Sequence, residues 1–414
     1  MGRFAGVPLP SSDRQVSRYF DVVVVGGGPA GSSAAISCAE AGLRVALLER
    51  ESFPRDLPGE TLHPGVEPLL HQLGVLETVL AAGFLRHEGH WVHWYDDGGT
   101  SSERWVPFSK DYEGRPPWRG FQAWRAHFDA LLLQRARAAG VAVYQPYRAV
   151  SLLDLKAGRV TGVAISPKHT ETEAVAITKL RARFVVDAAG GRHWLARRLA
   201  LPLERRSPPL VTRYGYVDGV CPKRDEAPAL VANSDGWIWT ARVRRSRYAW
   251  VRLSLRDTMG YHHRLPPAEL RGGRLRQWGR VRGADVSWRL VVPAAGAGYF
   301  LVGDAAAVLD PASSHGVLRA IMSGMMAAHL IAQVARSRTN ESVAAQGYND
   351  WVAGWFASDA TALRSLYARL PDSPQWLHAS QHLTQHMTRR SPTPTSRPTP
   401  SSVSSPPING LELS

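Results

Sequence analysis

The stretch "FDVVVVGGGPAGSSAAISCAEAGLRVALLER", residues 20–50, constrains the fold more than any other part of the chain. Val22 to Val25 form a continuous β-branched run, the mark of a strand buried on both faces of a parallel sheet. The run breaks into Gly26, Gly28 and Gly31, spaced G-x-G-x-x-G, and Ser32 to Ala41 follow as a helix of small residues. The first glycine permits a tight turn, and the second lets backbone N–H groups approach a pyrophosphate at the helix N-terminus. The third lets helix and strand touch. "RVALLER" supplies the next strand, and Glu49 at its end is placed to accept from ribose hydroxyls. This reading assigns Gly26, Gly28, Pro29, Ala30, Gly31, Glu49 and Arg50 to a dinucleotide cofactor. The motif alone does not separate NAD from FAD.

Composition narrows the partners. The 414 residues are 44% hydrophobic, enough for two domains or one large α/β domain. The formal charge of +15 comes mostly from arginines scattered singly, the lysines being only Lys110, Lys156, Lys168, Lys179 and Lys223. A nucleic-acid groove would concentrate charge on one element, so no nucleic-acid partner is expected. Cys38 and Cys221 are too few for a disulfide framework or a cysteine metal site, which suits a reducing cytoplasm. No apolar run is read as long enough to span a bilayer, and the N-terminus lacks the apolar core of a signal peptide, so stable membrane insertion is not expected.

Further along, "FQAWRAHFDALLLQRARAA" at 121–139 reads as an amphipathic helix, and "GVAVYQPYRAVSLL" after it has strand character. "GRVTGVAISP", "KHTETEAVAIT" and "KLRARFVVDAAG" alternate as strands in a hairpin arrangement ending at Asp187. Near the C-terminal end, "YFLVGDAAAVLDPASSHGVLRAIMSGMMAAH" joins a strand, a Gly-Asp, a Pro-Ser-Ser-His-Gly loop and an apolar helix.

With these pieces in order, the chain resembles the FAD-dependent monooxygenases of the p-hydroxybenzoate hydroxylase-type fold, over roughly residues 20 to 335. The resemblance implies an α/β fold, a Rossmann-like FAD-binding domain with a mixed-sheet substrate domain and a short helical C-terminal region. It places Arg125, Phe128 and Asp129 near the cofactor, and Gly303 and Asp304 against its ribityl and pyrophosphate region. Pro311, Gly316 and Val317 would lie along the isoalloxazine ring, where the helix N-terminus stabilises negative charge on the reduced ring. The expected boundaries are an N-terminal arm at 1–18; an FAD-binding domain at 19–90, 120–200 and 285–335; and a substrate-binding sheet at 91–119 and 201–284. A helical appendage at 336–386 and a disordered Pro- and Ser-rich tail at 387–414 complete the chain.

Three segments point to a branch. "LPGETLHPGVEPLLHQLGV" resembles the Gly-Glu-Ser/Thr segment of flavin-dependent tryptophan halogenases and their relatives, "DGWIWTARV" their Trp-x-Trp signature, and "DPASSHGV" the Asp-Pro loop that cups chloride in them. Halogenases also carry a lysine that binds or delivers hypohalous acid. The comparable stretch here, "FLRHEGHWVHW", has Arg86 and His87, and an arginine is no substitute. The resemblance therefore implies transfer of oxygen from reduced FAD and O2 to an electron-rich ring. In detail it is closest to the halogenase-like flavoproteins that modify a tryptophan of a partner polypeptide during tryptophylquinone maturation.

On this reading His315, Glu60 and His63 are the candidate catalytic groups, and Trp237, Trp239, Ser313 and Ser314 meet the substrate. His315 is either a base or a loop histidine satisfying backbone groups, and Glu60 either lines the flavin or caps a helix. Trp91, Trp94 and Trp250 are also expected on strands roofing the site. No metal is expected, because on a strand the spacing of His87, His90 and His93 turns His90 to the opposite face from the others. No second glycine fingerprint follows, so reductant is either NAD(P)H bound transiently or reduced flavin from a partner reductase. The alternatives from other classes are a halogenase, a prenyl reductase of the geranylgeranyl reductase kind and a non-enzymatic flavoprotein chaperone.

Overall fold

The computed structural model describes residues 18–55, 57–95, 99–108, 118–168, 177–233, 235–255 and 265–379. Most of "KHTETEAVAIT", the N-terminal arm and the Pro- and Ser-rich tail lie outside the described residues.

Two large sheets organise the molecule. In the first, Arg18–Val25 is flanked by two parallel neighbours, Val45–Leu48 and Thr178–Asp187, with Val23 opposite both Ala46 and Val185. Tyr299–Leu301 and Ala142–Tyr144 extend the parallel set on either side. Val22 to Val25 and Val45 to Leu48 are buried, as a parallel strand covered on both faces requires. The hairpin Tyr147–Leu152 and Gly162–Pro167 joins this sheet antiparallel to Thr178–Asp187.

The second sheet has seven strands, running from Arg276–Asp285 at one edge to Ser101–Pro107 at the other. It is antiparallel except where Ala229–Asn233 pairs with Gly89–Tyr95. Its strands alternate: Trp237 and Trp239 face the first sheet's side of the molecule, and Trp250 packs with Val217, Tyr248 and Leu270 in a separate cluster.

Four long helices complete the frame: α1 (Pro29–Glu40), α2 (Arg125–Ala138), α3 (Gly316–Ala335) and α4 (Glu341–Ala368). The small residues of α1 let α3 approach closely. A Cβ on Gly324 would sit 2.3 Å from the Ala30 carbonyl oxygen and 2.4 Å from Ser33 Oγ. The α3 helix is long and apolar enough to match a membrane span by length and composition, contrary to the expectation from the sequence. Its apolar character is used here against α1 and α4, with Ile321, Ala327, Ala328 and Ile331 buried. The α4 helix is more than an appendage: Asp359 and Leu366 reach the central cavity region from it, and Tyr367 is fully buried.

Candidate functional site: a cofactor cavity between the sheets

A cavity of about 1840 Å³ lies between the two sheets. Pockets for a single small ligand run to roughly 300–1,000 Å³, so there is room for a dinucleotide and a further ring.

One end is built from the glycine turn. Gly26 has φ +112°, and a Cβ there would lie 2.3 Å from the Ala188 carbonyl oxygen. Gly26, Gly28, Pro29 and Ala30 line the cavity. Gly31 does not; a Cβ on it would meet the Gly26 carbonyl oxygen at 1.9 Å, so its role is the helix–strand contact alone. The N-terminus of α1 has no side-chain cap and no acidic residue in its first turn, which leaves its orphan N–H groups for a ligand. Glu49 is buried and accepts from the amides of Gly27 (2.9 Å) and Glu51 (2.8 Å), which fixes its carboxylate at the cavity wall. Arg50 also lines the wall.

Arg55 was not singled out in the sequence. Its guanidinium lies 3.5 Å from both Glu49 and Asp129, lines the cavity, and keeps a buried Nε with no acceptor among the described residues. Asp129 in turn holds Arg125, accepting from Nε at 2.8 Å and Nη2 at 3.1 Å, while Arg125 Nη1 donates to the Pro58 carbonyl. A glycine cradle, an uncapped helix N-terminus, an unsatisfied cationic N–H and a ribose-facing carboxylate fit an ADP-containing cofactor.

Midway, Asp304 stands just past the Tyr299–Leu301 strand, its side chain exposed to the cavity. Gly303 stays off the cavity wall. It adopts φ +57°, donates its amide to Ser323 Oγ, and packs so that a Cβ would lie 3.0 Å from Ala30 Cβ.

The other end is made of side chains. Asp310 is fully buried and accepts from the Ala312 amide, Trp288 Nε1 and the Tyr367 hydroxyl, and burial lifts its pKa to about 6. Tyr367 also accepts from Trp237 Nε1 at 2.8 Å, so the loop after Asp310 is tied to α4 and to the second sheet. Pro311, Ser313, Ser314, His315, Gly316 and Val317 line the cavity, with Ser314 in the left-handed region at φ +56°. Trp237 and Trp239 form part of the opposite wall, Trp239 donating to Thr61 Oγ1. Trp91, Trp94 and Trp250 do not line it: Trp91 faces outward, Trp250 alternates with the lining residues Ala249 and Val251 and so points away, and Trp94, on the same strand face as His90 and Val92, is covered by α4, donating to the Leu366 carbonyl and stacking on Tyr367.

Glu60 and His63 reach the cavity from the segment after Val45–Leu48. Burial raises the pKa of Glu60, which accepts from the Tyr216 hydroxyl. His63 is pushed down to about 4 by desolvation and by the nearby His315, Arg319 and His90. His90 lines the wall between Phe108 and Trp239 with its Nδ1 unpartnered among the described residues. Among those residues, no group of three or more His, Cys, Asp or Glu side chains is arranged to hold a metal. His87 lies behind Phe108, edge-on at 5.2 Å, off the cavity, and desolvation lowers its pKa to about 3.

A family model described as an FAD-binding domain matches residues 19–239. The chain is 30% identical to the tryptophan 2-halogenase of Chondromyces crocatus, over 87% of this chain and 68% of that protein. The chain belongs to the halogenase branch of the FAD-dependent monooxygenases. It is also 26% identical to a 1H-pyrrole-2-carbonyl-[peptidyl-carrier protein] chlorinase of Pseudomonas fluorescens, over 74% of each chain. The fold matches the myxobacterial chondrochloren halogenase with a TM-score of 0.75, 23% identity and 90% of each chain covered. This member of the branch is therefore an FAD-dependent enzyme, and the glycine cradle, Glu49 and Arg55 are the residues of this chain that suit the ADP portion of FAD.

Proposed function

We propose that this flavoenzyme transfers oxygen to an electron-rich aromatic ring of the indole class, free or carried on a polypeptide, with His315 taking up the ring proton. The observation that carries the reading is the cavity wall: among the described residues lining it there is no lysine. Of Arg86 and His87, the residues compared with the halogenase lysine, neither lines the cavity: Arg86 is paired with Glu67, and His87 is buried behind Phe108 and too weakly basic to carry a proton. Bound and reduced FAD would supply the activation of O2, with electrons from NAD(P)H or from reduced flavin made by a partner reductase. The chain's own residues do the rest. The glycine turn and the α1 N-terminus hold the diphosphate, and Arg55 and Glu49 fix the nucleotide. Trp239 offers a flat apolar face that orients a ring, and Trp237, buried within the wall, braces it by donating to Tyr367. Glu60, whose pKa burial raises, faces the cavity while accepting from the Tyr216 hydroxyl.

Halogenation is the second reading, favoured by what the relatives are named for. The partner-polypeptide version is supported by two relatives named for a substrate on a peptidyl-carrier protein.

The deciding assay supplies FAD, a flavin reductase, O2, and chloride and bromide together, with tryptophan, indole and a tryptophan-containing peptide as probes. Mass spectrometry with labelled O2 reads the product. A product heavier by one labelled oxygen supports the proposal, and one carrying a halogen overturns it in favour of the second reading.

A further inference from the structure

Electrophilic attack on an aromatic ring, by oxygen or by halogen, leaves a ring carbon that must lose its proton. The cavity offers few groups able to receive it. Glu60 already accepts from Tyr216, Asp310 is enclosed by three donors, Glu49 is fixed by backbone amides at the nucleotide end, Asp304 lies midway, and His90, set between Phe108 and Trp239, is pushed down to about 4 by burial. His63 accepts the Gly65 amide at Nδ1 (3.0 Å), so its neutral ring carries hydrogen at Nε2 and presents a donor.

His315 is set the other way. Its Nδ1 lies 3.2 Å from Oδ1 of Asp359, a residue of α4 far outside the glycine and Asp-Pro motifs. Asp359 is buried and is also gripped by Arg319, whose Nε donates at 3.2 Å and Nη2 at 3.3 Å. Burial alone would raise the Asp359 pKa, but the bonds and charges of His315 and Arg319 outweigh it and the pKa is lowered. An ionised carboxylate only accepts, so the neutral His315 ring must place its hydrogen on Nδ1 and its lone pair on Nε2, the far edge of the ring. The rings of His63 and His315 meet edge-to-face at 5.5 Å with opposite tautomers. One wall of the cavity thus presents a donor beside an acceptor.

We propose that Asp359 is a positioning residue that makes His315 the proton acceptor of the aromatic substitution, with Arg319 locking the carboxylate in place. The inference rests on the proposed reaction. In the step, the C–H bond at the substituted carbon breaks, its electron pair restores the aromatic ring, and the proton passes to His315 Nε2. The imidazolium is neutralised by Asp359 until the proton is released to water with product. Arg319, whose amide donates to the His315 carbonyl one turn earlier on α3, keeps Asp359 from swinging toward the cavity.

The test uses the FAD-loaded protein and its Asp359→Asn and Asp359→Glu variants, with indole as probe. In Asp359→Asn, FAD affinity and flavin reoxidation by O2 stay at wild-type values while product per flavin reoxidised falls about 100-fold, with KM little changed; Asp359→Glu recovers part of the loss. Long-range 15N NMR of histidine-labelled wild-type protein shows His315 with hydrogen on Nδ1 and His63 with hydrogen on Nε2. Wild-type coupling in Asp359→Asn, or hydrogen on Nε2 of His315 in the wild type, overturns the proposal. Because the NMR reading needs neither turnover nor a variant, it decides the role of Asp359 even where the wild type leaves indole unchanged, a result that would count against the proposed reaction with that probe.

Discussion

The two ends of the cavity are made by different means. At the nucleotide end the contacts come mainly from backbone: glycines without side chains, helix amides without caps, and one carboxylate pinned by main-chain N–H groups. At the reacting end the contacts are mainly between side chains, drawn from the Asp-Pro loop, α3, α4, the second sheet and the segment around Glu60. The first end recognises a group common to many enzymes and has little freedom to vary. The second is assembled from side chains on several elements, each of which can be exchanged without altering the backbone that carries it.

That contrast can be broken at either end. The largest effect is expected from Gly26→Ala, where the new Cβ meets the Ala188 carbonyl at 2.3 Å on a backbone with φ +112°. It should cost about 3 kcal/mol in the urea unfolding curve and lower FAD affinity more than about 100-fold by fluorescence titration. Near wild-type flavin binding in this variant would show that the nucleotide end is not backbone-built.

At the reacting end the sharper probe is pH. Asp310 has its pKa raised to about 6 by burial, so between about pH 4 and pH 6 the folded protein binds a proton the unfolded chain has released. Its contribution therefore favours folding at low pH and declines as pH rises through that window, by about 3 kcal/mol, and is constant above it. Asp187 behaves in the same direction, with its pKa also about 6. Asp310→Asn should make the decline shallower, seen in urea midpoints measured from pH 4 to pH 7. An unchanged slope would mean that Asp310 is already ionised when folded.

A smaller effect is expected from Arg55→Ala, which removes the bridge between Glu49 and Asp129 and one cationic partner for the diphosphate. FAD affinity should fall about tenfold, with the fold intact. The smallest belongs to Trp239→Phe, which loses one bond to Thr61 at about 1 kcal/mol and should raise the KM for an aromatic probe a few-fold without touching flavin affinity. If Trp239→Phe weakened FAD more than Arg55→Ala did, the division of the cavity into two ends would be wrong.

Legibility followed the same division. The strand from Val22, the glycine turn, Glu49 and the α1 helix are local in sequence, and each could be argued from spacing and propensity. Gly31 and Gly303 were assigned to the cofactor, yet packing takes both away from the wall, because the contact that excludes a Cβ at each comes from protein and not from a ligand site. Arg55 was missed since a single arginine after a strand has no signature until Glu49 and Asp129 converge on it. Asp359 was missed because α4 read as an appendage, and nothing in its composition announces a partner 44 positions earlier. Trp237 and Trp239 part from Trp250 by strand parity, which cannot be counted across Gly236–Arg244 and Arg247–Ser254 until the register is known, whereas Trp94 is taken from the cavity by the packing of α4.

By itself the sequence determined that this chain must bury a parallel strand ending in a glycine turn, and so must carry a dinucleotide site, because no side chain larger than hydrogen fits that turn. Only the tertiary structure decided what surrounds the reacting end. Its groups come from elements far apart in the chain, and their protonation states depend on burial and on partners that exist only once those elements have packed.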